Sequence, residues 1–288
     1  MAKIINVLGT GRSGTTLIDL ILGNDKNGFS LGEIYAWFRP FRTHHFNIVC
    51  SCDSPHCPWK QLKHLKEKDF FEKAFEILKN DFFVDSSKFL PWVIDSNERA
   101  ISQNIIVHNI LLYKEPINLI YSFWKRGRTI KNAIKAYKKY YSRFFQTSLP
   151  FIALNYNRFV SNPEDMLQRL CTIINIPYFH GKENFWEKEH HHLFGSLGTR
   201  KQNEKKQGHI KAKDIFLPEF EKIIPKINLI IKNDIELKEI KDILDQHHLI
   251  KYNADSILHY PQKPYWYYFE KYRIKYRQYF PEKWHLDQ

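Results

Sequence analysis

A glycine-rich turn, Gly9–Gly14, follows a short apolar run and precedes a segment with helical spacing. A strand, a turn and a helix in this order form a phosphate cradle, because backbone N–H groups point outward at the helix N-terminus and the helix dipole favours an anion. Arg12 lies inside the turn, and the hydroxyls of Ser13, Thr15 and Thr16 surround the predicted helix start. The pattern therefore predicts an anion-binding site.

The turn departs from the motif of nucleoside triphosphatases, G-x-x-x-x-G-K-[ST], in which the Lys reaches the β- and γ-phosphates. Thr15 stands at that Lys position, and the nearby cation is Arg12. This difference argues against ATP or GTP hydrolysis but not against phosphate binding.

The same glycines, Gly9, Gly11 and Gly14, also fit the dinucleotide-binding pattern G-x-G-x-x-G, with Glu33 as the acidic residue about 20 positions further on. However, Leu31-Gly-Glu33 does not close an apolar strand of the expected length. A dinucleotide-binding fold is the weaker alternative.

A second stretch, Tyr113–Ser122, has an apolar run that ends at a cation. Lys114 follows the run, and Ser122 lies eight residues later on the helix predicted after Pro116. Taken alone, this stretch is equally well a strand that proline stops before a helix.

Together the two stretches resemble the sulfotransferases that use 3′-phosphoadenosine-5′-phosphosulfate (PAPS). Arg12–Thr16 matches the family's phosphosulfate loop, [KR]-S-G-T-T. Lys114 stands where the family has the Arg of its 3′-phosphate site, and Ser122 matches the Ser eight residues later. Lys keeps the positive charge but loses the bidentate geometry of Arg. Glu115 also departs from the family, which has Asp at this position.

Four weaker similarities extend the resemblance over residues 3–200. They are Leu31-Gly-Glu33, Val84-Asp-Ser-Ser-Lys88, Asn155–Pro163 and His192–Arg200, in which Arg200 matches an Arg of a late family loop. The resemblance implies transfer of a sulfuryl group from PAPS to a hydroxyl or amine, by in-line displacement and without a metal.

The resemblance also implies roles for single residues. Glu33 is the predicted base, with Asp85 as the alternative, and Lys88 reaches the bridging oxygen. The predicted catalytic residues are Glu33, Arg12 and Lys88; the predicted donor site comprises Gly11, Arg12, Ser13, Gly14, Thr15, Thr16, Lys114, Ser122 and Arg200. The acceptor is unassigned: a glycan, a tyrosyl peptide, a lipid headgroup and a small alcohol all remain open, and residues 34–60 with the loops after residue 124 are expected to form its pocket.

Composition is consistent with an anionic partner. Lys and Arg number 44 against 31 Asp and Glu, a formal net charge of +13, and 43% of the residues are apolar, which excludes a disordered chain. The alternative function is a basic protein that binds nucleotides or nucleic acid without catalysis. No helix-turn-helix, RNP or KH pattern supports nucleic-acid binding. No membrane-spanning run or signal peptide is evident, so the cytoplasm is the expected location.

Three clustered cysteines, Cys50, Cys52 and Cys57, lie near His44, His45 and His56. Their C-x-C-x₄-C spacing is not that of a usual zinc finger. Zinc binding, a Cys52–Cys57 disulfide and free thiols therefore all stay open, and the resemblance to bacterial members mildly favours pairing. The run His190–His192 is expected to be a histidine cluster in a loop, with a metal-binding role as the alternative.

Apolar runs and helical patterns alternate along the chain and predict an α/β fold with a central, mostly parallel sheet. The predicted strands are Lys3–Leu8, Phe82–Val84, Ile110–Tyr113 and Phe151–Leu154; the predicted helices include Thr15–Leu22, Phe70–Lys79, Thr129–Phe145 and Pro163–Ile174. Residues 24–60 are expected to be loop with short helices, and residues 199–213 a basic loop or lid. The chain is expected to be one domain, residues 1–288, whose residues 215–288 form a mainly helical extension.

The last predicted helix has aromatic residues on one face: Tyr265, Phe269, Tyr272 and Tyr276. We expect this face to pack on the domain. Because Lys and Arg crowd the rest of the helix, peripheral contact with an anionic membrane is the alternative.

Overall fold

A single parallel sheet organises the fold. The computed structural model describes residues 1–46, 50, 52, 54, 56–210, 215–250 and 260–279. The strands are β1 (Lys3–Leu8), β2 (Gly28–Gly32), β3 (Phe82–Asp85), β4 (Ile106–Tyr113) and β5 (Ile152–Asn155). They form a five-stranded sheet in the order β2-β3-β1-β4-β5, and every paired strand is parallel. The predicted α/β class is confirmed.

Helices connect and cover the strands. In the described part of the chain they are α1 (Thr15–Leu22), α2 (Tyr35–Phe38), α3 (Trp59–Leu62), α4 (Phe70–Leu78), α5 (Leu90–Ser102), α6 (Pro116–Trp124), α7 (Ile130–Phe145), α8 (Tyr156–Ser161), α9 (Pro163–Ile174), α10 (Leu197–Glu204), α11 (Pro218–Glu221), α12 (Ile224–Asn233), α13 (Ile235–Gln246) and α14 (Tyr265–Tyr279). Short 3₁₀ turns lie at Thr43–His45, Glu67–Asp69 and Phe185–Glu187.

The central strands are apolar on both faces because helices cover both. In β1, Ile4 and Leu8 belong to the core on one side of the sheet, and Ile5 and Val7 to the core on the other. Successive side chains of a strand point to opposite faces, so a strand buried on both sides reads as a continuous apolar run. This is why β1 was evident from the sequence.

The strand order excludes the dinucleotide-binding alternative. In that fold the strand that carries the acidic residue lies next to the first strand. Here β3 lies between β1 and β2, so Glu33 at the end of β2 is one strand further away. A strand does precede Glu33, the five-residue β2, where residues 24–60 were expected to be loop with short helices.

Several predicted elements need correction. Residues 24–60 include β2, and α5 follows β3 where no helix was predicted. Residues 199–204, predicted as loop or lid, belong to α10; residues 211–214 of that segment lie outside the described residues. Helix α7 begins as predicted, with the Thr129 hydroxyl capping it by accepting from the Asn132 N–H at 3.1 Å.

Helix α14 packs on the core with a different face from the predicted one. Tyr265, Phe269 and Tyr272 are exposed, whereas Trp266 and Tyr267 are buried in the core cluster. The Tyr267 hydroxyl donates to the Asp95 carboxylate of α5, and Arg143 of α7 pairs with Glu270 at 2.9 Å. Within the described ranges, no helix is long and apolar enough to cross a membrane.

Candidate functional site

Each strand of the sheet ends at a residue with a side chain suited to chemistry. Glu33 follows β2, Lys88 lies three residues past β3, the Gly9–Gly14 turn follows β1, Lys114 follows β4, and Tyr156 follows β5. In a parallel sheet these carboxyl ends share one edge, and ligands of open α/β sheets bind outside that edge. The strand order therefore aligns the five positions in one row.

A cavity of about 800 Å³ lies along this edge. The predicted site residues that line it are Gly11, Arg12, Gly14, Thr15, Thr16, Glu33, Lys88, Lys114, Ser122 and Arg200. Residues far apart in the sequence thus meet around one space that is large enough for a nucleotide-sized ligand.

Ser13 does not reach the cavity with its side chain. The residue is buried, and its Oγ donates to the Thr10 carbonyl at 2.8 Å. Its backbone N–H donates to the same oxygen at 3.2 Å. Ser13 therefore stabilises the turn, and its role in the donor site stays a prediction.

The turn has the backbone conformation of a tight anion cradle. Arg12 has φ 76° and Gly14 has φ 102°, both in the left-handed region. A Cβ at Gly14 would lie 2.3 Å from the Tyr156 ring, so both the conformation and the space require glycine there. The Gly9 N–H donates to the Tyr140 hydroxyl of α7 at 3.1 Å, which fixes the start of the turn.

Arg12 supplies the cation of the turn. Partial burial and the neighbouring charge of Arg126 lower the pKa of the Arg12 guanidinium. Arginine remains protonated at neutral pH despite such a shift. An anion bound at the N-terminus of α1 would relieve the repulsion between the two arginines.

At the β4–β5 end of the cavity, Lys114 is largely buried and its Nζ lies 4.2 Å from the centre of the Tyr156 ring. Ser122 on α6 lines the same region, and its Oγ donates to the Asn118 carbonyl at 3.0 Å. The hydroxyl must rotate away from Asn118 before it can donate to a ligand.

At the β2–β3 end, Glu33 and Lys88 form an ion pair with 2.5 Å between Oε1 and Nζ. Both side chains are mostly shielded, with 16% and 19% of their surface exposed. Lys88 also donates to Thr15 Oγ1 at 3.3 Å. Lys88 therefore connects the carboxylate to the helix that begins at the phosphate turn.

Asp85, the alternative base, is not among the residues that line the cavity. It is fully buried, and its carboxylate accepts from the Ser87 N–H at 2.7 Å and from Trp92 Nε1 at 2.8 Å. Burial raises the pKa of Asp85 to about 6. The carboxylate that faces the cavity is Glu33, and Asp85 holds the loop after β3.

A late segment, Leu193–Arg200, closes the cavity over the turn. The Leu193 carbonyl accepts from the Glu33 N–H at 3.0 Å, and the Ser196 N–H donates to Thr16 Oγ1 at 3.0 Å. A Cβ at Gly195, whose φ is 81°, would lie 2.8 Å from Thr16 Oγ1. This close approach brings Arg200, on α10, to the cavity.

His192 lies in a loop, as predicted for the run His190–His192. It is fully buried, and its Nδ1 lies 2.6 Å from Ser30 Oγ of β2. His190 is also buried, with its Nε2 3.0 Å from the Phe185 carbonyl. These two histidines anchor the segment that precedes Gly195.

Several lining residues were not singled out from the sequence, among them Tyr156, Phe194, His44 and Arg42, although the last two fall within residues 34–60, the segment expected to form the acceptor pocket. For Tyr156 a signal existed, because it directly follows the apolar run of β5. The other three lie in irregular segments whose position depends on tertiary contacts.

The comparisons with known proteins concern the fold. No family model matches the chain, and no curated protein matches it. Among solved structures, a sulfotransferase domain from the curacin biosynthetic pathway is similar at TM-score 0.57 with 17% identity, covering 85% of this chain and 98% of that domain. A sulfotransferase domain from the Synechococcus PCC 7002 olefin synthase is similar at TM-score 0.49 with 13% identity, covering 85% of this chain and 94% of that domain. An Alicyclobacillus acidocaldarius sulfotransferase gives TM-score 0.43 and 9% identity, covering 88% of this chain and 97% of that protein. The first likeness shows that this chain has a sulfotransferase-like fold, as the sequence resemblance predicted.

Proposed function

We propose that this protein is a sulfotransferase that moves a sulfuryl group from PAPS to a hydroxyl or amine of an acceptor. One observation carries the proposal: a single cavity joins an anion cradle with two further cations to a carboxylate–lysine pair. The cradle is the Gly9–Gly14 turn with Arg12, the further cations are Lys114 and Arg200, and the pair is Glu33 with Lys88. The sulfotransferase-like fold supports the same reaction class.

The donor's phosphates bind at the β1–β4–β5 end of the cavity. Arg12 and the first backbone N–H groups of α1 hold the 5′-phosphosulfate, where a helix N-terminus and a cation reinforce each other. Lys114, Ser122 and Arg200 hold the 3′-phosphate. A site for that second phosphate distinguishes PAPS from ATP, and Thr15 at the usual lysine position also disfavours ATP.

The acceptor reacts at the β2–β3 end of the cavity. The acceptor oxygen or nitrogen forms a bond to the sulfur while the bond from sulfur to the bridging phosphate oxygen breaks. Glu33 takes the proton that the acceptor loses, and Lys88 neutralises the charge that develops on the leaving oxygen. The 2.5 Å contact between these two side chains supports a direct coupling of both events.

The leaving group is a single phosphate of adenosine 3′,5′-bisphosphate. Fixed cations can neutralise its charge in a partly closed site, where they cost no reorganisation during the reaction. Arg12 and Lys88 are placed for this, one in the turn and one beside Thr15.

Nucleotide-dependent thermal stabilisation tests the donor half of the proposal. Adenosine 3′,5′-bisphosphate should raise the melting temperature strongly, and AMP much less. Lys73→Ala, which changes an exposed lysine on α4, should behave as wild type. Equal shifts with both nucleotides, or a shift with oligonucleotides alone, would instead indicate the basic nucleotide- or nucleic-acid-binding protein.

Transfer of radiolabelled sulfate from PAPS across a panel of glycans, tyrosyl peptides, lipids and small alcohols tests the acceptor half. We expect label in at least one class of acceptor, and at least about 100-fold slower labelling with Glu33→Gln. Labelling that proceeds equally well with that variant would contradict the assigned chemistry.

A further inference from the structure

Three cysteines and a distant histidine meet next to the cavity. The ligand atoms of Cys50, Cys52, Cys57 and His191 all lie within 4.8 Å of one another, and Cys50 Sγ is 3.9 Å from His191 Nδ1. All three cysteines are free thiols, not the Cys52–Cys57 disulfide considered from the sequence. The histidine that joins them in the described part of the chain is His191, not one of the neighbouring histidines His44, His45 and His56.

We propose that Cys50, Cys52, Cys57 and His191 bind a structural Zn²⁺ ion. Three thiolates and one imidazole are a usual closed ligand set for structural zinc, with bonds of about 2.3 Å to sulfur and about 2.0–2.1 Å to nitrogen. A tetrahedron with these bonds has edges of roughly 3.6–3.8 Å between ligand atoms. The observed 3.9 Å and the 4.8 Å limit therefore require only small side-chain movements.

The surroundings hold the histidine in place. The ring of Phe29 stacks on His191 at 6.1 Å with 16° between the planes, and Trp59 Nε1 donates to the His191 carbonyl. Trp59 and Cys57 are buried, while Cys50, Cys52 and His191 are half-buried. Groups that orient a ligand in this way are typical of metal sites, because they reduce the movement needed on binding.

The site joins two parts of the chain that the sequence keeps far apart. The cysteines lie between α2 and α3, and His191 directly precedes His192 and the segment that closes the cavity. Four protein ligands leave no open position for a substrate, so the ion is structural. By fixing His191, zinc would hold Leu193 against Glu33 and Gly195 against Thr16.

Metal content of the full chain tests the proposal directly. Protein purified without chelators or metal-affinity columns should contain one zinc per chain by mass spectrometry of the metal. After chelator treatment, Co²⁺ should bind with the same stoichiometry, giving a thiolate charge-transfer band and the d–d bands of a tetrahedral site. Failure to bind either metal in stoichiometric amount would overturn the proposal, whatever the outcome of the nucleotide experiments.

Variants separate this site from adventitious binding. Cys50→Ser, Cys57→Ser and His191→Gln should each lose most of the bound metal. Cys171→Ala, a buried thiol on α9, and His180→Ala, an exposed histidine, should keep it. If a buried-site variant fails to fold, the half-buried Cys50→Ser and the wild-type Co²⁺ spectrum still decide. Zinc retained in all three ligand variants, or a Cys52–Cys57 disulfide in a non-reduced digest, would refute the site.

Hydrogen exchange tests the structural role. Removal of the metal should speed amide exchange in residues 192–196 and leave β4 unchanged. Unchanged exchange in that segment would show that the zinc ion does not hold residues 192–196 in place.

Discussion

The two ends of the cavity differ in the chemical groups that they present. At the β1–β4–β5 end, the lining includes cations, hydroxyls and the N-terminus of α1, among them Arg12, Lys114 and Ser122. At the β2–β3 end a carboxylate, Glu33, is held by Lys88. Behind that end lie two more buried carboxylates, Asp19 and Asp85.

In the proposed function, this difference separates donor binding from proton transfer. The cations of the first end would attract an anionic donor, and Glu33 at the second would take the proton of the acceptor. The sheet order places β3, with Lys88, between Glu33 and the turn after β1. Lys88 is thus the one predicted catalytic residue that contacts both ends, through Glu33 and Thr15.

The largest expected effect comes from the carboxylate end. Glu33→Gln should reduce sulfuryl transfer about 10²–10⁴-fold, because general bases contribute on that scale. Stabilisation by adenosine 3′,5′-bisphosphate should be unchanged, since Glu33 is assigned to the acceptor side. The measurement is kcat at saturating PAPS beside the nucleotide-induced melting shift, with Glu72→Gln on α4 as the control. If Glu33→Gln turns over normally and Asp85→Asn loses turnover, the base is Asp85.

Arg12→Ala should lower kcat by about 10²–10³-fold, the usual cost of removing one group that stabilises developing charge. The fold should survive, because Arg12 lies in an exposed part of the turn. Steady-state kinetics and a thermal melt measure both effects, and Arg169→Ala on α9 is the control. If the variant unfolds, or turns over normally, the cradle does not act as assigned.

Lys114→Ala should weaken the preference for adenosine 3′,5′-bisphosphate over AMP about 10-fold to 100-fold, as expected for one charge-assisted hydrogen bond. Ser122→Ala should have a smaller effect, because its hydroxyl must first leave Asn118. Lys114→Arg should retain the preference. Calorimetric titration with both nucleotides gives the ratio of their dissociation constants. If that ratio is unchanged in Lys114→Ala, Lys114 does not belong to the 3′-phosphate site.

The last expected effect is on stability, not on activity, and concerns a carboxyl group behind the carboxylate end. Burial raises the pKa of Asp19 to about 8, well above the ordinary value of 3.8. The folded chain therefore keeps a proton that the unfolded chain releases, and the free energy of unfolding falls as pH rises from about 4 to 8. Asp19→Asn removes this dependence, so its stability relative to wild type should increase from pH 5 to pH 8 in urea titrations. Parallel profiles for the two proteins would show that Asp19 does not titrate in this range.

Much of the β1–β4–β5 end of the cavity could be predicted from the sequence because its signals are local. The β1 run, the glycine turn and the start of α1 are contiguous, and Lys114 and Ser122 are eight residues apart. Both stretches also carry the family resemblance. That the Ser13 hydroxyl bonds to the Thr10 carbonyl within the turn could not be predicted from these patterns.

The remaining features depend on contacts between distant residues. Strand β2 is short and begins and ends with glycine, so its pattern is weak until β3 pairs with it. The meeting of His191 with the cysteines spans 141 residues from Cys50, and no spacing rule reports such a contact. The prediction of which face of α14 is buried was wrong because aromatic residues lie all around this helix. Trp266 and Tyr267 are the ones that pack in the core.

The position of α14 has a consequence for the order of folding during synthesis. Tyr267 is buried against Asp95 of α5, a contact that spans 172 residues, and Trp266 stacks its ring under Arg143 of α7. Domains generally fold as units as the chain emerges, and contacts between distant residues slow that process. Helices α5 and α7 therefore cannot make these contacts until residues 265–279 have left the ribosome.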